Sequence, residues 1–228
     1  MPTWLDWTLP DGVTTYAASI DRLYYLILII TAIAFVIVEV GLIWFIIKYR
    51  ARPGQKAYYT HGSMRAEVVW TAIPAVTVVI LGILSSGVWN HVRGRDSLPA
   101  GAIEIGVAAK QFEWNVTYTG PDGTLGTADD FTRRNLLRVP VDTPVVVVLT
   151  AEDVIHSFFI PQFRVKQDAV PGMTNRIWFQ VMQAGEYALA CAELCGNGHT
   201  TMGGRVEAVS MEEFNSWLQS ESPTVASR

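Results

Sequence analysis

Two long apolar runs near the start of the chain dominate its hydrophobic pattern. The first, LYYLILIITAIAFVIVEVGLIWFII at 23–47, carries a single charge at Glu39, and the second, VVWTAIPAVTVVILGILSSGV at 68–88, carries none. A helix needs about 20 apolar residues to cross a bilayer. Trp70 and Trp89 stand near the two ends of the second run, where interfacial aromatic residues are common. The pattern predicts a hairpin of two transmembrane helices rather than two buried helices of a soluble core.

From about residue 100 the pattern changes to short runs of β-branched and aromatic residues. The turn signals between them are GPDG, VDTP, VPGM and QAGE. The runs that predict strands are IEIGVAA, QFEWNVTY, NLLRVPV, TPVVVVLT, NRIWFQV, EYALAC and GRVEAVS. They favour an antiparallel β-sandwich or barrel. A last periodic run at 211–220 predicts a short helix with Phe214, Trp217 and Leu218 on one face.

Charge orients the hairpin and narrows the class of partners. The segment 48–66 between the apolar runs contains five Lys or Arg and no Asp or Glu. The positive-inside rule therefore places this loop on the inner side and both termini outside. Residues 90–228 hold 11 Lys or Arg against 16 Asp or Glu. This acidic balance argues against a nucleic-acid partner and favours a basic protein partner.

These patterns predict four parts of the chain. They are an N-terminal outer tail at 1–22, a transmembrane hairpin at 23–89 with a basic inner loop at 48–66, an outer β domain at 90–210, and a C-terminal helix and tail at 211–228. In the β domain, the stretch GPDGTLGTADDF places Asp122, Asp129 and Asp130 in one loop. Its spacing is not that of an EF-hand, so we expect a plain acidic hairpin loop rather than a calcium site.

The stretch CAELCGNGHTTM at 191–202 gathers both cysteines of the chain with a histidine and a methionine. Cys191 and Cys195 are four residues apart, His199 follows four later and Met202 three beyond that. Thiolate and thioether sulfurs with imidazole favour copper over magnesium, calcium or manganese. A structural zinc site normally lacks a methionine. A disulfide in an oxidising compartment is the alternative, but it does not account for His199 and Met202. His156, in DVIHSFFIPQF, is a further candidate donor.

Three stretches together resemble subunit II of the haem-copper cytochrome c oxidases. They are EVVWTAIPA in the hairpin, HSFFIPQFRVKQDAVPGMTNRIWFQ, and CAELCGNGHTTM. The resemblance implies a two-helix transmembrane hairpin followed by an all-β cupredoxin-like Greek-key sandwich that carries the dinuclear copper centre CuA. The implied copper ligands are the side chains of His156, Cys191, Cys195, His199 and Met202 and the backbone carbonyl of Glu193. The Glu193 carboxylate resembles the family's ligand to a magnesium ion shared with subunit I.

The same resemblance suggests roles for residues outside the copper set. Glu67 resembles a glutamate at the mouth of a proton channel in subunit I, and an ordinary interfacial carboxylate is the alternative. Lys166 and Asp168 resemble a pair near the interface with subunit I, or they form a solvated salt bridge. Phe112 stands where the family usually has an exposed Trp at which electrons arrive. Trp114 follows two residues later and would share its face in a regular strand. The expected donor is therefore one other than the usual free cytochrome c, such as a tethered or complex-bound haem c domain.

The resemblance implies the subunit through which electrons enter a terminal oxidase. It would accept electrons from a cytochrome c and pass them to haem in subunit I, where oxygen reduction is coupled to proton pumping. Expected partners are subunit I, the other oxidase subunits, the donor and the lipid bilayer. The expected membrane is the bacterial plasma membrane rather than the mitochondrial inner membrane, with both termini and the copper domain on the periplasmic side. A CuA subunit of a nitric oxide reductase and a membrane-anchored copper-binding module remain open alternatives, whereas the five side-chain ligands disfavour a copper-free quinol oxidase subunit.

Overall fold

The computed structural model describes residues 8–57, 59–94 and 97–221 of the chain. Contacts divide it into two compact units. One unit is the helical segment Ser19–His91. The other combines the N-terminal residues up to Ala18 with the chain from Val92 onward.

The helical unit consists of two long helices, α1 (Ala17–Lys48) and α2 (Met64–Arg93). Each contains and extends one of the predicted apolar spans. Both are long and apolar enough to cross a membrane, and none of the residues in their most apolar stretches is buried inside the protein. Ser63 caps α2 by accepting a hydrogen bond from Ala66 N–H at 3.3 Å. Outward-facing apolar surface of this extent is what lipid, rather than a protein core, would cover.

The second unit is a sandwich of two five-stranded sheets closed by a helix. The strands are β1 (Ile103–Lys110), β2 (Glu113–Tyr118), β3 (Phe131–Arg134), β4 (Leu136–Pro140), β5 (Pro144–Ala151), β6 (His156–Ile160), β7 (Val165–Ala169), β8 (Asn175–Gln180), β9 (Gly185–Cys191) and β10 (Gly203–Val209). The C-terminal helix α3 spans Met211–Glu221. A two-helix hairpin followed by an all-β cupredoxin-like sandwich is therefore confirmed.

The expected sandwich is present, but its sheets are mixed, so the expected antiparallel pairing is wrong for two pairs of strands. Their strand orders are β3-β2-β1-β5-β8 and β4-β10-β9-β6-β7. The pairs β1–β5 and β4–β10 are parallel because the chain changes sheets between the paired strands, as in Greek-key folds. Strands β3, β6 and β7 were not predicted. Strand β3 has only four residues, and β6 and β7 do not alternate between buried and exposed positions, so none of the three has a clear period of two.

Large side chains fill the space between the sheets and under the closing helix. Strands β1 and β2 bury every second residue, as a strand with one core face must. The fully buried ring of Trp114 meets Phe158 of the opposite sheet edge to face, with centroids 5.7 Å apart. On α3, Phe214 is buried and the Trp217 ring lies 4.8 Å from that of Tyr118. The amphipathic helix predicted at 211–220 is confirmed.

The described part of the N-terminal tail packs on the sandwich. Val13 donates its N–H to Gln162 O at 3.0 Å, and Thr14 pairs with Val181. The Tyr16 hydroxyl donates to Trp178 O at 3.1 Å, and Tyr16 is almost fully buried. The expected outer tail thus forms part of the β unit from Val13 onward. Residues 1–7 and the predicted C-terminal tail from 222 lie outside the described residues.

Candidate metal centre

The cysteine-rich stretch forms the connection between β9 and β10, next to the first residue of β6. Cys191 is the last residue of β9, and its neighbour β6 begins with His156. Because β6 and β9 are antiparallel, the start of one and the end of the other lie at the same edge of the sheet. Ala192 N–H donates to Ser157 O at 3.0 Å, and Cys191 N–H donates to Met202 O at 3.1 Å. The sheet thus positions both sides of the loop.

Two thiols and two imidazoles converge at this edge. The Sγ atoms of Cys191 and Cys195 are 3.8 Å apart. His156 Nδ1 lies 3.9 Å from Cys191 Sγ, and His199 Nδ1 lies 3.6 Å from Cys195 Sγ. Each sulfur therefore has one imidazole nitrogen within 4 Å. The ligating atoms of His156, Cys191 and Cys195 lie within 4.8 Å of one another.

A thioether and a backbone carbonyl complete the group. Met202 Sδ lies 3.7 Å from Cys195 Sγ, and Glu193 O lies 3.2 Å from Cys191 Sγ. Met202 and Cys195 are only 2% and 3% exposed, so these two residues are shielded from water. The structure brings all six residues of the expected copper set together, each sulfur being flanked by one nitrogen and one weaker donor.

The two cysteines are free thiols rather than a disulfide. Their 3.8 Å separation is well beyond the roughly 2.05 Å of an S–S bond. Burial raises the pKa of Cys195 to about 11, and the adjacent Cys191 adds to the effect. Two neighbouring thiolates are therefore unfavourable unless a cation compensates them. Copper would supply that charge, and the soft donors present fit it.

Asp153 orients the His156 ring and was missed from the sequence. Its Oδ1 lies 2.8 Å from His156 Nε2. Burial acts to raise the pKa of Asp153, but hydrogen bonds from His156 and from two backbone N–H groups outweigh it and hold the pKa at about 2. The carboxylate favours the tautomer with the hydrogen on Nε2, in which Nδ1 is the free nitrogen nearest Cys191 Sγ. The only feature of the sequence that could have indicated this role is that Asp153 precedes the candidate ligand His156 by three residues.

Phe112 and Trp114 occupy different environments. Phe112 lies in the turn before β2 and is 36% exposed, and its ring covers Gly196 and Gly198. Trp114 is fully buried, with its ring centroid 6.3 Å from that of His156. The expectation that the two residues share a face is wrong, because β2 begins only at Glu113 and strand alternation does not reach Phe112.

The carboxylates expected to act outside the copper set are exposed. Glu193 is exposed, as is its neighbour Leu194, of which 78% is accessible to solvent. Glu67 lies in the first turn of α2, where the positive end of the helix dipole favours a negative charge. It lines a shallow, mainly apolar groove with Val68, Thr71, Ala72 and Ala75.

Lys166 and Asp168 form an ion pair on β7, with Nζ and Oδ1 3.1 Å apart. Lys166 Nζ also lies 3.0 Å from Ser157 Oγ, next to His156 in the chain. Hydrogen bonding with Ser157, followed by the contact with Lys166, lowers the pKa of Asp168. The bonds with Ser157 therefore link the pair on β7 to β6 next to His156.

The aspartates of the acidic loop accept hydrogen bonds from other residues of the same loop. Asp122 Oδ1 accepts the N–H of Thr124 at 2.8 Å, and Asp130 Oδ2 accepts the N–H of Gly126 at 2.6 Å. Asp129 Oδ1 accepts the Thr127 hydroxyl at 2.6 Å. Such bonds stabilise turns without any ion.

Comparisons with known proteins cover both units. Residues 2–88 match the family "Cytochrome C oxidase subunit II, transmembrane domain", and residues 111–209 match "Cytochrome C oxidase subunit II, periplasmic domain". Cytochrome c oxidase subunit 2 of Thermostichus vulcanus is 30% identical over 92% of this chain and 77% of its own. Alternative cytochrome c oxidase subunit 2 of Bradyrhizobium diazoefficiens is 28% identical, and the match covers 96% of this chain and 84% of that protein.

A solved structure, the periplasmic domain of cytochrome oxidase subunit II from Bradyrhizobium japonicum, is 32% identical. The match covers 54% of this chain and 96% of the solved chain, with a TM-score of 0.49. The two family matches and the Thermostichus relative show from the sequence which family the chain belongs to. It belongs to the cytochrome c oxidase subunit II family.

Proposed function

We propose that this chain is the subunit through which electrons enter a terminal oxidase, and that it holds a dinuclear copper centre for this purpose. The observation that carries the proposal is the convergence of two thiols, two imidazoles, a thioether and a carbonyl within 3.2–3.9 Å contacts. Membership of the subunit II family supports the role within an oxidase.

The proposed ligands comprise two cysteines shared by both copper ions and two histidines that each bind one ion. Cys191 and Cys195 would be shared, with His156 at one end and His199 at the other. Met202 and the Glu193 carbonyl would be the weaker donors. When bound, such a centre accepts and releases one electron spread over two copper ions. The protein supplies the rigid sheet edge, the buried sulfurs and the oriented His156 ring, all of which limit rearrangement as charge changes.

Electrons would arrive on the outer side of the loop. Phe112 is the exposed aromatic residue over the loop, whereas Trp114 lies beneath it against His156. We infer that Phe112 contacts the donor and Trp114 supports the centre from inside. The donor is a cytochrome c or a bound haem c domain, and the acidic balance of the outer unit favours a basic docking face.

The remaining roles concern subunit I and the membrane. Glu67 would deliver protons to the channel mouth in subunit I, and the Glu193 carboxylate would share a magnesium ion with that subunit. The basic loop 48–66 would face inward, with the copper domain and both termini in the periplasm of a bacterial plasma membrane. Oxygen chemistry would occur in subunit I, and this chain would contribute electron transfer to the oxidoreductase and translocase.

The family match favours this function over the two alternatives that the sequence left open, a nitric oxide reductase subunit and a copper-binding module. The test is to assemble the oxidase with the parent chain or with Cys195→Ser and to follow haem reduction by an excess of ascorbate-reduced soluble cytochrome c, a donor that the parent should oxidise slowly but measurably. We expect haem reduction in the parent complex and its loss in the variant. Equal rates in the two complexes would show that electrons bypass this site.

A further inference from the structure

The turn between β1 and β2 joins the two segments that carry the proposed ligands. Gln111 is its first residue after β1. Its backbone N–H donates to Asp153 Oδ2 at 2.8 Å. Its side-chain Nε2 donates to the backbone carbonyl of Cys195 at 2.5 Å. One residue therefore contacts both the connection between β5 and β6 and the β9–β10 loop.

Each of these bonds positions one of the proposed ligands, either directly or through a neighbouring residue. Asp153 uses its other oxygen to hold His156 Nε2 at 2.8 Å, so the backbone bond of Gln111 steadies the group that orients this imidazole. The side-chain bond fixes Cys195, whose sulfur is in contact with those of Cys191 and Met202. A shift of the Cys195 backbone would disturb all of these contacts together.

The loop is shaped to receive this turn. A Cβ at Gly196 would lie 2.7 Å from Gln111 Nε2, and one at Gly198 would lie 2.5 Å from Phe112 Cδ2. Gly196 also has φ +132, a backbone conformation that other residues rarely adopt. The close approach of the two segments therefore depends on glycines in the loop as well as on the amide of Gln111.

We propose that Gln111 is a positioning residue of the metal centre. It ties the Cys195 carbonyl to the Asp153–His156 pair, so that the sulfurs and this imidazole keep their spacing whether or not metal is bound. The metal part of this inference rests on the proposed dinuclear copper function, whereas the tie itself consists of bonds between protein groups.

The test compares two substitutions of chemically matched glutamines. Gln111→Met keeps a similar shape but removes the donor. Gln180→Met removes the same kind of bond, from Nε2 to the Asp142 carbonyl at 3.0 Å, at the opposite end of β5 from the site. Gln111→Glu is a second variant. It keeps the size of the side chain but also removes the bond, because an ionised carboxylate cannot donate to a carbonyl. All are made in the full chain.

The first measurement is amide hydrogen exchange in the metal-free protein. We expect faster exchange in the Gln111 variants at the loop amides, including those of His199 and Thr201, which donate to Gly196 O and Gly198 O. Gln180→Met should match the parent there. The second measurement uses copper-loaded full chain with a competing copper chelator. We expect release about 10-fold faster or more in the Gln111 variants, with altered paramagnetic resonance splitting.

Unchanged loop exchange in both Gln111 variants would overturn the proposal. Faster exchange with unchanged copper release and spectrum would also overturn the positioning role, since it would leave only local packing. A parent chain that binds no copper pair would contradict the proposed function instead, and the metal-free exchange comparison would still decide whether Gln111 ties the loop.

Discussion

The Asp153 carboxylate holds His156 Nε2 at 2.8 Å and leaves the opposite ring nitrogen 3.9 Å from Cys191 Sγ. Asp153→Ala should therefore free the imidazole to rotate. We expect copper affinity to fall by about 10-fold to 100-fold, the usual effect of losing a group that orients a metal-bound histidine. Competition with a copper chelator measures it. Asp122→Ala, which removes an exposed carboxylate of the acidic loop, is the control and should bind as the parent does. Unchanged affinity in Asp153→Ala would remove Asp153 from the account.

Met202→Leu should retain copper but raise the reduction potential. Leu has a similar volume and can fill the buried site, which is 2% exposed in the parent. The lost thioether is a weak donor that favours the oxidised form, so its removal should favour reduction. A redox titration of the copper-loaded chain measures the shift. If loading and potential were both unchanged, Met202 would be a core residue and not a ligand.

Phe112→Trp should improve turnover with a soluble basic cytochrome c. Indole offers a larger apolar area and an N–H donor at the exposed position over the loop. The parent, tuned to another donor, should oxidise this cytochrome slowly. Steady-state kinetics over a range of salt concentrations measure both, since electrostatic steering weakens with salt. Rapid, strongly salt-sensitive oxidation by the parent, with no gain in the variant, would show that Phe112 is a neutral substitution.

Glu67→Gln should slow turnover through proton uptake while leaving reduction of copper by the donor unchanged. Gln retains the size and the polar contacts of the side chain but cannot carry the proton. Time-resolved proton uptake by the assembled oxidase measures the effect. Glu212→Gln is the matched control, because Glu212 also lies in the first turn of a helix, at the start of α3. Equal uptake rates in Glu67→Gln and the parent would make Glu67 an ordinary interfacial carboxylate.

Local patterns explain what could be predicted from the sequence. The helices follow from uninterrupted apolar length, and the ligand loop follows from spacings of three and four residues between Cys191 and Met202. Asp153 and Gln111 could not be predicted in this way. The bonds of Gln111 span 42 and 84 residues, and they form only because the folded sheets bring separate strand ends to one edge. The surroundings of Trp114 likewise depend on where β2 begins, which a single aromatic-rich run does not define.

The central claim is that Cys191, Cys195 and the four residues around them hold a pair of copper ions. Metal analysis combined with electron paramagnetic resonance of the purified full chain, after loading with copper, tests it most directly. The account predicts two copper ions per chain and a multi-line spectrum from one electron shared equally between them. One copper ion per chain with a single-ion spectrum, or zinc in place of copper, would contradict it.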